Sequence, residues 1–273
     1  STGTNYQAWG WTGRAKLTGN TTIFVAPIPT GNDATGTGLT SSSAYATLSH
    51  AYNWAQSALD LGGFTLIISA LAGTFTAGLT ATGPIVGQTS PVIIQGAGSA
   101  TTTISTVGGA PIIAFNGAVL QPSAITLTAT GSGSACISSQ GSGSVVTLGI
   151  GLVFGTASQA HIQAVNLGQV LLTNSYTITG NASAHWFVEN FAAINNGNVP
   201  ITVTLAGTPA FSNAFALAAA MGLINPSSIV TFVGSATTTT IRYNTSGGGQ
   251  IATSLSGSSY LPGGTAGIGT GYS

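Results

Sequence analysis

Of 273 residues 43% are apolar and only six are charged, Arg14, Lys16 and Arg242 against Asp33, Asp60 and Glu189, so the chain is neutral. Ordinary domains carry about 25% charged residues; a neutral chain with no basic run is a poor partner for nucleic acid or an anionic membrane, and no apolar stretch reaches the roughly 18 residues of a membrane span. The apolar fraction also excludes disorder, which combines low hydrophobicity with high net charge.

In chain order, residues 1–22 come first. They hold Tyr6, Trp9, Trp11, Arg14 and Lys16, including two of the four tryptophans, and show no periodicity. Trp, Tyr and Arg carry interface energy disproportionately, so Trp9, Trp11, Arg14 and Lys16 are the candidate partner-attachment residues. The alternative is a terminal strap lying on the domain. This polar, aromatic stretch also lacks the apolar core of a signal peptide.

Ile23 to Ala26 reads as a short strand, and the Gly-, Asn- and Asp-rich stretch from Pro29 as turns. Ala44, Tyr45, Leu48, Ala51, Tyr52, Ala55, Ala58 and Leu59 then fall at helical spacing. Ser41 to Ser43 offer N-caps and Gly62-Gly63 a stop, which predicts one amphipathic helix from about Ala44 to Leu61. Laid across the end of the coils that follow, such a helix covers their apolar floor.

From residue 110 to 255 one pattern returns: an apolar pair, a few mixed residues, a Gly or Ala turn, another apolar pair. Its anchors are Ile112, Ile137, Ile162, Val188, Ala216 and Ile241, at steps of 25, 25, 26, 28 and 25 residues. Such a period marks stacked supersecondary units that bury their apolar faces on one another. Runs such as Ile201 to Leu205 and Ile229 to Val233 are rich in Val, Ile and Thr, so the unit is β. About 25 residues accommodate three short strands and three turns. The Leu-x-x-Leu-x-Leu signature of leucine-rich repeats is absent. The expectation is an all-β, right-handed parallel β-helix over residues 23–255, with early coils from residue 64, the capping helix at 44–61 and a Gly-rich tail or cap at 256–273. Stacking also bears on the missing charge, since equivalent side chains of successive coils sit opposite one another and like charges so placed repel.

Asn32-Asp33, Gly36, Gly38-Leu39, Ala44-Tyr45, Thr47-Leu48 and Ala51 resemble the entry segment of pectate-lyase-like right-handed β-helix proteins. Leu66-Ile67-Ile68, Gly73 to Thr76 and Val92 to Gly96 are similar to their first coils, and Tyr260 to Gly263 resembles the ends of tail-spike and fibre-like proteins of bacteriophages and prophages. The resemblance implies a fold that hosts lyases, hydrolases and inert spikes alike, a place on the virion surface and assembly as a homotrimer, with other virion proteins met through the N-terminal segment.

Glycan cleavage ordinarily uses paired carboxylates, and Asp33, Asp60 and Glu189 fall at three different levels of the predicted axis. No acidic cluster suits Ca²⁺ and no ligand set suits Zn²⁺; no cofactor or metal is expected. His185, Trp186 and Glu189, with His161 one coil earlier at nearly the same phase, form the candidate glycan contact, Trp offering a flat apolar face to a sugar ring. The plainer alternative packs Trp186 or Phe187 and turns His185 outward. Cys136 reads as a small buried apolar residue. A non-enzymatic structural or receptor-binding spike follows, ahead of a glycan-cleaving tailspike or a surface adhesin. Phe211 to Ile224 is expected to supply an apolar outer face for trimer contacts.

Overall fold

The computed structural model describes residues 13–273 apart from Ser228 and residues 254–258, and residues 6–8 by backbone alone. Short runs of β-branched residues separated by turns leave no strand long enough to bury its own apolar face, and the chain solves this by coiling. Successive coils hydrogen-bond in parallel, giving a β-solenoid of about seven turns and roughly 27 residues per turn. Three sheets of seven, nine and seven strands run along it. Paired strands are three apart in the chain, except where Thr21–Val25 joins Leu66–Ala70 across the helix and one short strand.

Each sheet drives one apolar column into the core. Val92, Leu120, Val146, Val170, Ile194, Ile224 and Ile251 pair in sequence along the nine-stranded sheet. Phe75, Ile104, Leu127, Phe154, Ile178 and Leu205 do so along a second. All are buried, and each coil fully covers the next, which is why short strands suffice.

The remaining sheet runs through Leu79, Ile112, Ile137, Ile162, Trp186, Ala216 and Tyr243. The expected column holds through Ile162 and again at Ala216, whereas Val188 and Ile241 fall off it. Val188 pairs with Ala164 and Ala218, two residues beyond the column, and Ile241 bridges Thr265 of the tail. The reason is unequal turns: the step from Ile162 to Trp186 is shorter than the mean and the next, which carries a bulge near Ala182, is longer.

The helix spans Leu48–Ala58, shorter than predicted, and buries Leu48, Ala51, Tyr52 and Ala55. Its N-cap is Thr47, whose hydroxyl accepts from the His50 amide at 3.1 Å; Ser41–Ser43 form a separate 3₁₀ turn. Asp33 sets this boundary. Its carboxylate accepts from the Ala46 and Thr47 amides at 2.7 and 3.1 Å and from the Thr47 hydroxyl at 2.7 Å, holding Thr47 extended. The helix stops at Ala58 because Leu59–Asp60 pair with Ala15–Lys16. Tyr52 Oη donates to the Gly83 carbonyl at 2.6 Å and Ser49 Oγ to that of Gly78 at 3.1 Å, so the helix shields the edge of the terminal strand Leu79–Thr82. At the other end the tail acts as the cover: Tyr272 stacks on Tyr243 with centroids 4.1 Å apart, and Leu261 is buried.

Candidate functional site

The attachment and glycan candidates fare differently. Trp9 and Trp11 lie outside the described residues. Arg14 is half-buried and Lys16 exposed, on a stretch tied to the domain: Ala15–Leu17 pairs with Tyr6–Ala8 on one side and Leu59–Asp60 on the other, and Leu17 is buried in the core.

His161, His185 and Trp186 are wholly buried, which corrects the expectation that they meet a glycan at the surface. Strict alternation would turn His185 outward once Trp186 faces in. The alternation slips by one residue here, so that both side chains join the core, and Ile162 beside His161 and Ala216 beside Phe215 repeat the slip. Of this set only Glu189, half-buried at the strand end, reaches solvent. Phe211 to Ile224 is likewise corrected: Phe211, Phe215, Ala216, Ala218 and Ile224 are core residues.

The buried group forms one hydrogen-bonded relay. Trp186 Nε1 lies 3.1 Å from Tyr176 Oη, Tyr176 Oη 2.8 Å from His185 Nε2, and His185 Nδ1 3.1 Å from His161 Nδ1. Indole N–H can only donate. Tyr176 therefore accepts from Trp186 and gives its own hydrogen to His185 Nε2; His185 then carries its proton on Nδ1 and donates to His161, whose remaining proton sits on Nε2. Among the described residues that nitrogen has no hydrogen-bond partner. The reverse direction would strand two groups, the Tyr176 hydroxyl hydrogen and the His161 Nε2 lone pair, so the first is favoured. Phe154, Phe211 and Phe215 wall the pair, with ring centroids 4.9–6.1 Å from one imidazole or the other. Burial pushes His161 down to about 3; the backbone groups of Gly155 and Asn181 offset this only in part, and neither bonds Nε2 in hydrogen-bond geometry. Burial first, and then the neighbouring His161, holds His185 well below the usual imidazole range. Cys136 is inert in the same way, its thiol raised by burial and directed at the Leu127 carbonyl.

The three carboxylates stay apart. Asp33 is engaged at the helix cap, Asp60 accepts from the Gly62 amide at 2.9 Å, and Glu189 stands coils away. Among the described residues no three His, Cys, Asp or Glu side chains converge on a possible metal position.

Two surface features remain, neither of them anticipated. A shallow groove of about 520 Å³ crosses successive coils, with Phe211 at its floor and Ser158, Asn181, Ser183, Ser212 and Thr239 among its lining. At another corner of the solenoid, a turn position equivalent from coil to coil takes the left-handed conformation in Gly117, Leu167, Phe191, Met221 and Gly248, at φ 91°, 70°, 60°, 64° and 79°. The three apolar members are adjacent: the Leu167 amide donates to the Asn190 carbonyl and the Phe191 amide to that of Ala220. Leu167, Phe191 and Met221 are 52%, 66% and 56% exposed, and form a ridge along the shaft.

No known protein family, curated protein or solved structure matches the chain. The likeness to pectate-lyase-like proteins thus stands at the level of the parallel β-solenoid.

Proposed function

We propose that the chain is a non-enzymatic structural module of spike or fibre type, a stiff shaft that packs side by side with copies of itself as a homotrimer. The observation that carries this reading is the ridge. A left-handed residue other than glycine costs roughly 1–2 kcal/mol, and glycine takes the left-handed positions of the corresponding turns on either side, at Gly141 and Gly143 and at Gly248. The middle coils instead hold Leu, Phe and Met there, largely exposed. An isolated shaft gains nothing from them; a partner burying them gains their transfer free energy, up to about 1.5–3 kcal/mol each. A copy of the chain has the same axial repeat of about 4.8 Å, so ridges stay in step along the contact, and with so few charges nothing opposes it.

The separation of Asp33, Asp60 and Glu189 supports a non-enzymatic role, since glycan cleavage relies on a carboxylate pair. With the histidines and Trp186 internal, contact with a surface glycan belongs to the groove of Asn181, Ser183, Ser212 and Thr239, where hydroxyls and an amide suit a neutral polymer. Attachment to a phage-like virion through Trp9, Trp11, Arg14 and Lys16 is carried by the resemblance of the entry and closing segments. Native mass spectrometry at micromolar concentration tests the assembly: a trimer is expected, and a monomer would overturn the reading.

A further inference from the structure

We propose that His161 and His185 form an acid-operated latch inside the shaft, stable while both imidazoles are neutral and opened by protonation of either. The geometry has room for two neutral rings only. His161 accepts at Nδ1 the proton that His185 donates across 3.1 Å, and His185 Nε2 is the acceptor for Tyr176. A proton added to His161 Nδ1 sets N–H against N–H. One added to His185 Nε2 sets N–H against the Tyr176 hydroxyl hydrogen.

Among the described residues only the backbone groups of Gly155 and Asn181 offset a charge on the pair, and only in part. Facing the pair are Phe154, Tyr176, Trp186, Phe211 and Phe215, from four strands. Along the register, Cys136 precedes His161 and Arg242 follows Phe215. Behind Tyr176 lies Tyr260, a second neutral phenol. Of these only Arg242 is charged, and its sign repels an imidazolium; Glu189 lies at the far, outward end of the His185 strand. An uncompensated buried charge costs enough to open the structure around it.

The direction follows from linkage. Both imidazoles have folded values depressed below the unfolded reference of about 6.5. Their contribution is therefore fully present above about pH 6.5 and lost as pH falls below it. Each histidine multiplies the unfolding equilibrium about tenfold per pH unit and the two together about a hundredfold, or roughly ten-thousandfold near pH 4.5. The latch sits at mid-shaft, so the coils built on Leu152–Ala157, Ala160–Val165, Tyr176–Ile178, Ala182–Glu189 and Phe211–Ala218 open first.

Hydrogen exchange on the full chain, between about pH 7 and pH 4.5 and corrected for intrinsic rates, locates the opening. Protection is expected to fall first in these strands while the helix Leu48–Ala58 keeps its own. Loss that begins at the Asp33-capped helix, or uniformly, would overturn the latch. Histidine NMR on the same protein adds a readout that needs no variant. The two buried imidazole signals should stay neutral until the strands open, whereas titration near pH 6.5 with the fold intact would refute the proposal. In the double variant His161→Phe, His185→Gln, the steep acid dependence should flatten; an unchanged slope would count equally against it.

Discussion

His161 and His185, 24 residues apart and one coil apart, place their Nδ1 atoms 3.1 Å from each other with both side chains wholly buried. Two side chains chosen for polarity thus sit in the driest part of the shaft, tolerated because a tyrosine and a tryptophan complete a relay that leaves a single nitrogen unpaired.

Tyr176 is the hub of that relay. Tyr176→Phe removes the acceptor for Trp186 Nε1 and the donor for His185 Nε2 at once, leaving both buried and unpaired. The expected loss is about 2–4 kcal/mol, more than an ordinary buried hydroxyl deletion. Urea unfolding at neutral pH measures it, and a loss below about 1 kcal/mol would mean the relay is not formed.

Asp33 ties the entry turn to the helix cap through three hydrogen bonds. Asp33→Ala should cost roughly 1–3 kcal/mol, and Thr47→Ala, which removes the cap itself, about 1. Thermal melts of the two variants and the double variant should show less than additive loss, because the pair shares one bond. Additive loss would separate the two roles.

Phe191 occupies a left-handed position on the exposed ridge. Below the concentration at which copies associate, Phe191→Gly should raise stability by about 0.5–1.5 kcal/mol, since strain is removed and little burial lost. The expectation is unusual for a deleted aromatic. A destabilisation of more than about 1 kcal/mol would show that the ring packs within its own chain.

The N-terminal segment divides at the strand Ala15–Leu17. Removing residues 1–12 should leave the melting temperature within a few degrees. Removing residues 1–20 takes away buried Leu17 and the Asn20 side chain that accepts from the Thr65 amide, and should cost about 3–5 kcal/mol in the same assay. Equal stability of the two truncations would contradict the strap formed by this strand.

The period was legible because stacked coils repeat the same apolar anchor in the same place, as Ile112, Ile137 and Ile162 do. It failed at Val188 because repeat counting assumes equal turns, and the turns on either side of Trp186 are unequal. Inward His185 was hidden for another reason: two-residue alternation carries no signal of a slip, and only the same slip beside His161 and Phe215 shows it to be a feature of the sheet. The ridge did leave a trace. Asn116-Gly117, Asn166-Leu167 and Asn190-Phe191 are equivalent turns, and an apolar residue after Asn, where glycine serves elsewhere, is the mark of a left-handed position kept at a cost. The groove leaves no such mark, since it joins residues of successive coils only through stacking.

If this shaft is built to pack against its own copies, sedimentation equilibrium of the native chain beside the Leu167→Gly, Phe191→Gly, Met221→Gly triple variant will show it. The expected result is a native trimer at micromolar concentration and a folded, monomeric variant that melts no lower than the isolated native chain. A native monomer, or a triple variant that assembles as the native chain does, would contradict it.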